Sequence, residues 1–200
     1  MSRRGAVAGI FVTGTDTGAG KTVVAAGLIA ALQQRGWPVA AMKPVAAGCR
    51  RTAEGLRNDD AELLREALAE PPPYEAVNPC ALEAAAAPHL VAAEAGRVID
   101  VAGLAAAIRR TAAQRFTVVE GAGGWRVPLA GSADVAALAR ESGLPVLLVV
   151  GIQLGCLSAA QLSAEAIRAD GVALAGWVAC ELDGADPRRA QQVASLEARL

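Results

Sequence analysis

The residues best suited to chemistry are gathered in Gly14-Thr15-Asp16-Thr17-Gly18-Ala19-Gly20-Lys21-Thr22. They follow an apolar run, Val7 to Thr13, and open a helix-like segment, the setting that a phosphate-cradling loop requires. Glycines let the backbone wrap inward so that its N–H groups point at phosphate oxygens, and the helix start adds partial positive charge. Lys21 would neutralise the β- and γ-phosphates of a nucleoside triphosphate, and Thr22 would offer a hydroxyl to magnesium. Position 15 is Thr and the glycine stands at 14, so the loop is one residue longer than G-x-x-x-x-G-K-[ST]. A plain glycine-rich turn is the competing reading, and a Gly-Lys-Thr at a helix start among small neighbours argues against it.

A second acidic centre follows Thr117-Val118-Val119, where Glu120 precedes Gly121-Ala122-Gly123-Gly124-Trp125. A hard cation that bridges phosphates prefers oxygen ligands and takes one or two carboxylates from the protein. Glu120 and Asp60 are the candidates. The glycines after Glu120, Gly121 and Gly123 among them, leave the backbone open to a ligand. Asp60, beside Asp59, serves equally well as a helix-start charge favoured by the macrodipole. Partitioning and septum-placement ATPases carry a second lysine five positions before the loop lysine, and here Asp16 occupies that position. That argues against their mechanism.

The elements that must position these groups alternate along the chain. Strand-like runs occupy Val7 to Thr13, Val39 to Lys43, Phe116 to Val119, Pro145 to Val150 and Val172 to Ala179. Helix-like periodicity occupies Gly20 to Gln34, Asp59 to Ala69, Val101 to Gln114, Ala133 to Glu141 and Ser158 to Ala169. This pattern predicts an α/β fold, a mainly parallel central sheet with helices on both faces, of the P-loop NTPase kind. Ligands in such folds collect beyond the carboxyl ends of the strands, which directs attention to residues 14–20, 43–60, 120–128 and 151–157. Pro71-Pro72-Pro73-Tyr74 and Val77-Asn78-Pro79 are too proline-rich for a helix or central strand and read as an irregular excursion. The alanines from 84 to 87 read as an effect of composition.

Length and composition set the outer limits. Two hundred residues with 54% hydrophobic content can build one sizeable core, so residues 1–200 are expected to form a single domain. Nineteen basic against 20 acidic residues give a net charge of −1, which exerts no pull toward nucleic acid or anionic lipid. The longest apolar runs, Leu144 to Ile152 and Val172 to Cys180, fall short of the ~20 residues a membrane helix needs. Met1-Ser2-Arg3-Arg4 is followed by no convincing cleavage site, so no secretion signal is read. Cys49, Cys80, Cys156 and Cys180 are far apart in sequence and fit free thiols in a reducing cytosol. With His89 the sole histidine, a multi-histidine metal site is excluded, and catalysis must lean on Lys, Asp, Glu and backbone.

Taken in order, the loop, Lys43-Pro44-Val45-Ala46, Gly55-Leu56-Arg57-Asn58-Asp59-Asp60, Val77-Asn78-Pro79, Pro88-His89, Val119-Glu120-Gly121-Ala122-Gly123-Gly124-Trp125 and Leu154-Gly155-Cys156 resemble dethiobiotin synthetases over nearly the whole chain. The resemblance implies formation of dethiobiotin from 7,8-diaminononanoate, carbon dioxide and ATP with magnesium. One amine captures carbon dioxide as a carbamate, ATP phosphorylates the carbamate to a mixed anhydride, and the second amine closes the ring and expels phosphate. Such chemistry asks the protein for positioning and charge neutralisation rather than a covalent nucleophile.

The resemblance also implies roles for individual residues. Lys21 and Thr22 match the phosphate lysine and magnesium hydroxyl, and Asp60 and Glu120 match the magnesium carboxylates. Lys43 matches the lysine near the carbamate; position alone would also allow a surface lysine at a strand end. Thr17 matches a loop residue at the substrate, and Gly155, Cys156, Leu157 and Ser158 match a helix start that holds the substrate carboxylate across a homodimer interface. His89 matches a family position but is assigned no chemistry. The chain departs from the family pattern at Gly18, at Ala47 beside the carbamate lysine, at Ser158-Ala159, at Cys180 near the adenine, and at Gln192. These departures bear on base selection and substrate affinity, not on the phosphate machinery. A degenerate or regulatory nucleotide-binding paralogue without ring closure is the alternative.

Overall fold

The computed structural model describes residues 8–181 and 187–200. Its first half runs β1 (Gly9–Gly14), α1 (Lys21–Gln34), β2 (Val39–Met42), β3 (Val45–Ala46), β4 (Arg50–Thr52), β5 (Gly55–Arg57), α2 (Asp59–Glu66), α3 (Tyr74–Val77), β6 (Cys80–Ala81) and α4 (Pro88–Glu94). The second half runs α5 (Val101–Ala112), β7 (Phe116–Gly124), β8 (Pro128–Ala130), β9 (Ala133–Asp134), α6 (Val135–Ser142), β10 (Val146–Ile152), α7 (Cys156–Ala169), β11 (Leu174–Glu181) and α8 (Arg189–Glu197). Five strands form the central sheet in the order β11-β10-β1-β7-β2, and every pairing in it is parallel.

Alternation along the strands feeds two cores. Phe11, Val119, Leu148 and Val150 face one side, where they meet Leu104 and Ile108 of α5, Leu138 of α6 and Ile167 of α7. Val12, Val118 and Val149 face the other, against Ala25 and Ile29 of α1 and Ala61 and Leu64 of α2. Helices therefore cover both faces, as the sequence predicts for a parallel sheet. All five expected strands and all five expected helices are present, with shifted ends; Val7 lies outside the described residues.

The shifts that matter surround the site. Phe116 to Val119 reads as the strand, yet β7 continues through Gly124 because a register shift against β1 lets Gly14 pair with Gly124. Glu120 thus sits within the sheet opposite Val12 rather than in a loop beyond it. Ala133 to Glu141 reads as one helix, but Asp134 is extended and accepts from the Ala137 N–H at 2.8 Å, which starts α6 only at Val135. The proline-rich stretch holds one helical turn, α3, because the prolines end at Pro73, just outside it. Between β2 and α2 the chain also forms an antiparallel hairpin, β4 with β5.

Candidate active site

The loop between β1 and α1 is shaped by glycines. Gly18 (φ +78°) and Gly20 (φ +92°) adopt left-handed conformations, which lets the chain curl before α1. The curl folds Lys21 back over the loop: its Nζ donates to the carbonyl of Asp16 at 2.8 Å, and the side chain is buried. Burial is the main influence on this lysine and holds its pKa below the usual value, against the pull of Glu120. Thr15, Asp16, Thr17 and Gly18 lie on the outer side of the curl, whereas Ala19 is buried.

Behind the loop lies a compact charged cluster. Lys43, just past β2, donates to Asp60 Oδ2 and to Glu120 Oε1, both at 2.6 Å. Thr22 Oγ1 donates to the same Glu120 Oε1 at 3.0 Å. Glu120 is fully buried, and its Oε2 has no hydrogen-bond partner. Burial pushes this carboxyl upward, opposed by the Lys43 ammonium and the Thr22 hydroxyl. For Lys43, burial would lower the pKa, but Glu120 and Asp60 outweigh it and hold the ammonium above its ordinary range. Asp60 is held below the usual carboxylate range: burial would raise it, and the Lys43 charge prevails.

A cavity of about 470 Å³ opens over this cluster. Thr17, Lys43, Ala47, Asp60 and Gly123 line it, so five predicted residues from four separate stretches of chain converge. Gly123 takes φ +58°, and a Cβ there would come 2.8 Å from Val127 Cγ2. Gly121 lies elsewhere: it is buried and gives room to Phe11 and Val135, not to the cavity. Cys180, at the end of β11, lies against the loop, where a Cβ on Gly20 would collide with its Sγ.

Gly155, Cys156, Leu157 and Ser158 do not line the cavity. They form the start of α7, with Gly155 left-handed at φ +93° and no side-chain cap. Cys156 is buried, its Sγ 3.5 Å from Gln192 Oε1, while Leu154 just before it is 96% exposed. The cavity wall includes residues that sequence reasoning passed over, Ala85, Ala86 and Ala87 ahead of α4, together with Val127 and Pro128 from the stretch 120–128 to which it pointed. An alanine run carries no chemical signature, so only its place opposite Lys43 gives it meaning.

The oxygens near Thr22 suit a small divalent cation. Among the described residues no group of three or more His, Cys, Asp or Glu side chains could hold a metal, so phosphate and water oxygens would have to complete any coordination. The free, buried Oε2 of Glu120 and the Thr22 hydroxyl are hard donors of the right kind, and Asp60 adds a second carboxylate.

Fold and loop together define the class, a P-loop nucleotide-binding α/β protein, and residues 8–199 match the AAA domain family. Two solved structures share the fold: a ParA family ATPase from Chlorobium tepidum (TM-score 0.55, 12% identity, 96% of this chain and 81% of that one) and chloroplast FtsY from Physcomitrella patens (TM-score 0.50, 20% identity, 98% and 58%). Sequence relatives are far more similar. The ATP-dependent dethiobiotin synthetase BioD of Pseudomonas paraeruginosa is 55% identical over 192 residues, 95% of this chain and 84% of that protein. The enzymes of that name from Cellvibrio japonicus and Xanthomonas oryzae pv. oryzae are 53% and 46% identical over 191 residues, 95% of this chain and 84% and 85% of those proteins. The chain belongs to the ATP-dependent dethiobiotin synthetase family.

Proposed function

We propose that the protein makes dethiobiotin from 7,8-diaminononanoate, carbon dioxide and ATP. The observation that carries the reading is the Lys43–Asp60–Glu120–Thr22 cluster at the base of a cavity that the phosphate loop borders. Counted with Lys21 of the neighbouring loop, two lysines and two carboxylates leave the site near neutrality, so it can receive a triphosphate and a divalent cation together. Thr22, Asp60 and Glu120 would hold Mg²⁺, which when bound supplies charge neutralisation at the β- and γ-phosphates. The backbone N–H groups of Gly18 through Thr22 would cradle the phosphates, and Lys21 is poised to swing its charge from the Asp16 carbonyl onto them.

Lys43 projects its ammonium into the cavity, where it offsets the negative charge of the carbamate and then of the mixed anhydride. Thr17 lies across the cavity and orients the diamine; Ala47 and the alanines before α4 give the walls an apolar surface. No protein nucleophile is required. The same reading takes residues 1–200 as one nucleotide-binding and synthetase unit, with Gly123 and Cys180 on the nucleotide side.

The start of α7 holds the substrate carboxylate of a neighbouring subunit in this reading, which makes the protein a homodimer. Its support is the separation of Gly155–Ser158 from the cavity and the exposure of Leu154 (96%), just before α7, and of Leu162 (63%) within it. Among the described residues no helix is long and apolar enough to cross a membrane, and the four cysteines are free thiols, which suits a cytoplasmic enzyme.

The test is mass-spectrometric detection of dethiobiotin after incubation with the diamine, bicarbonate, magnesium and, separately, ATP, CTP or GTP. Product with ATP is expected. Nucleotide binding without product in any of the three would overturn the reading in favour of a regulatory paralogue.

A further inference from the structure

Tyr74 is the sole tyrosine of the chain, and its hydroxyl stands at a junction. It is buried beneath α2 and outside the cavity lining, as is Asn78. Asn58 donates its backbone N–H to Tyr74 Oη at 2.7 Å, and Tyr74 Oη donates to Asn78 Oδ1 at 3.0 Å. Asn78 then donates from Nδ2 to the backbone carbonyl of Lys43 at 2.6 Å, while the Lys43 N–H donates to the Val77 carbonyl at 2.8 Å. On its other side Asn58 caps α2, accepting from Ala61 N–H at 3.2 Å, and α2 carries Asp60 in its first turn. One hydroxyl therefore links the backbone that bears Lys43 to the helix start that bears Asp60, the two residues that pair at 2.6 Å over the cavity.

We infer that Tyr74 is a positioning residue for the Lys43–Asp60 pair, acting through Asn78 on one side and Asn58 on the other. The inference rests on the role given to Lys43 and Asp60 above. Every donor and acceptor named in this relay is buried and spoken for, so removing the hydroxyl leaves the Asn58 N–H and the Asn78 carbonyl oxygen without partners. The backbone at Lys43 and the start of α2 then relax independently. Groups that act by placement lose rate steeply for small displacements, whereas groups that hold nucleotide affect its binding. Asn58 borders the cavity, but Tyr74 and Asn78 touch neither it nor the loop, so their removal is expected to act on turnover. The Arg57 guanidinium stacks on the Tyr74 ring at 4.3 Å and gives an internal control, because it packs on the ring without entering the relay.

The experiment compares the full-length wild type with Tyr74→Phe, Asn78→Ala, Arg57→Met and Lys43→Gln. Dethiobiotin formation, ATP affinity by calorimetry and thermal unfolding are measured for each. Tyr74→Phe and Asn78→Ala should each lower kcat about tenfold or more, with KM for ATP and ATP affinity within about twofold of wild type. Arg57→Met should keep wild-type kcat whatever it does to the unfolding temperature. Should Tyr74→Phe fail to fold, Asn78→Ala carries the same expectation. Unchanged kcat in a folded relay variant would overturn the inference, as would an equal loss in Arg57→Met, which would place the effect in ring packing and in the Arg57 ion pairs with Glu62 and Glu75. Full turnover in Lys43→Gln would instead overturn the reading of Lys43 itself. Loss in Lys43→Gln with unchanged turnover in Tyr74→Phe would overturn the relay alone.

Discussion

The two sides of β1 are built differently. Toward β7 and β2 the carboxyl ends of the strands hold Lys21, Lys43 and Glu120, all buried, with each ammonium and carboxylate answered by a neighbour except at Glu120 Oε2. Toward β10 and β11 the ends are open among the described residues and hold no buried charge. Cys180 is half-buried, and Leu154 and Leu162 face outward. Groups that handle phosphoryl charge must be fixed before the substrate arrives, since a preorganised environment stabilises the transition state without reorganising. Groups that grip the distal part of a substrate can be supplied later, and here a second copy of the chain would supply them.

The largest expected effect is on the closed side, and it separates its two lysines. Lys21→Met and Lys43→Met should each reduce dethiobiotin formation by about a thousandfold, because in the proposed function both would place charge on the transferring phosphoryl or carbamate group. Their effects on stability should differ. Lys21 is disfavoured by its own burial, so an apolar replacement of similar volume should leave the unfolding temperature near or above that of wild type. Lys43→Met strands the fully buried Glu120 beside an exposed Asp60, an uncompensated charge that costs about 3–5 kcal/mol, or roughly 10 °C in Tm. Equal stability of the two variants would show that Glu120 does not depend on Lys43.

On the open side, Leu154→Asp combined with Leu162→Asp places two charges on the outward face at and after the start of α7. The expected product is a folded monomer by light scattering, with KM for the diamine raised about thirtyfold and ATP affinity unchanged. A variant that stays dimeric, or a monomer with ordinary KM, would break the comparison by showing that the open side needs no partner.

The two sides touch where Cys180 meets Gly20. Gly20→Ala combines a left-handed backbone with a collision against Sγ, so ATP affinity should fall about tenfold. Cys180→Ala should keep ATP affinity within about threefold, and the double variant should recover part of the loss. No recovery would mean that backbone strain alone explains the effect of Gly20→Ala.

How much of this was legible in the sequence follows from what leaves a mark there. Gly20, Lys21 and Thr22 are legible because phosphate binding demands those types at that spacing. Lys43, Asp60 and Glu120 are legible as charges at ends of apolar or helical runs, and the structure brings them within hydrogen-bond reach. The course of the chain past Glu120 was not legible, because it depends on the pairing of Gly14 with Gly124, a contact remote in sequence. Nor was the turn at Tyr74: three prolines before it suggest irregular chain, and its value lies in hydrogen bonds to Asn58 and Asn78 that no periodicity encodes. The alanine wall is the extreme case, apolar residues whose meaning comes wholly from what stands opposite.

The smallest expected effect concerns the tie between the two sides on the far face. Trp125, just past β7, donates from Nε1 to Asp170 Oδ2 at 2.7 Å, and Arg126 pairs with Asp170 at 2.9 Å; Asp170 in turn ends α7. Burial would raise the Asp170 pKa, but the hydrogen bonds from Arg126 and Trp125 prevail and hold it below the ordinary carboxylate value. A carboxyl depressed in the folded state contributes stability that is present above its unfolded pKa of about 4 and is lost as pH falls through the folded value. Asp170→Asn keeps an acceptor for Trp125 and loses the charge. Its Tm should lie about 2 °C below wild type at pH 7, and the gap should close as acidification below the ordinary carboxylate range protonates wild-type Asp170. A gap that persists at low pH would show that the difference does not come from the Asp170 charge, and the ion pair with Arg126 would then not be what joins the two sides.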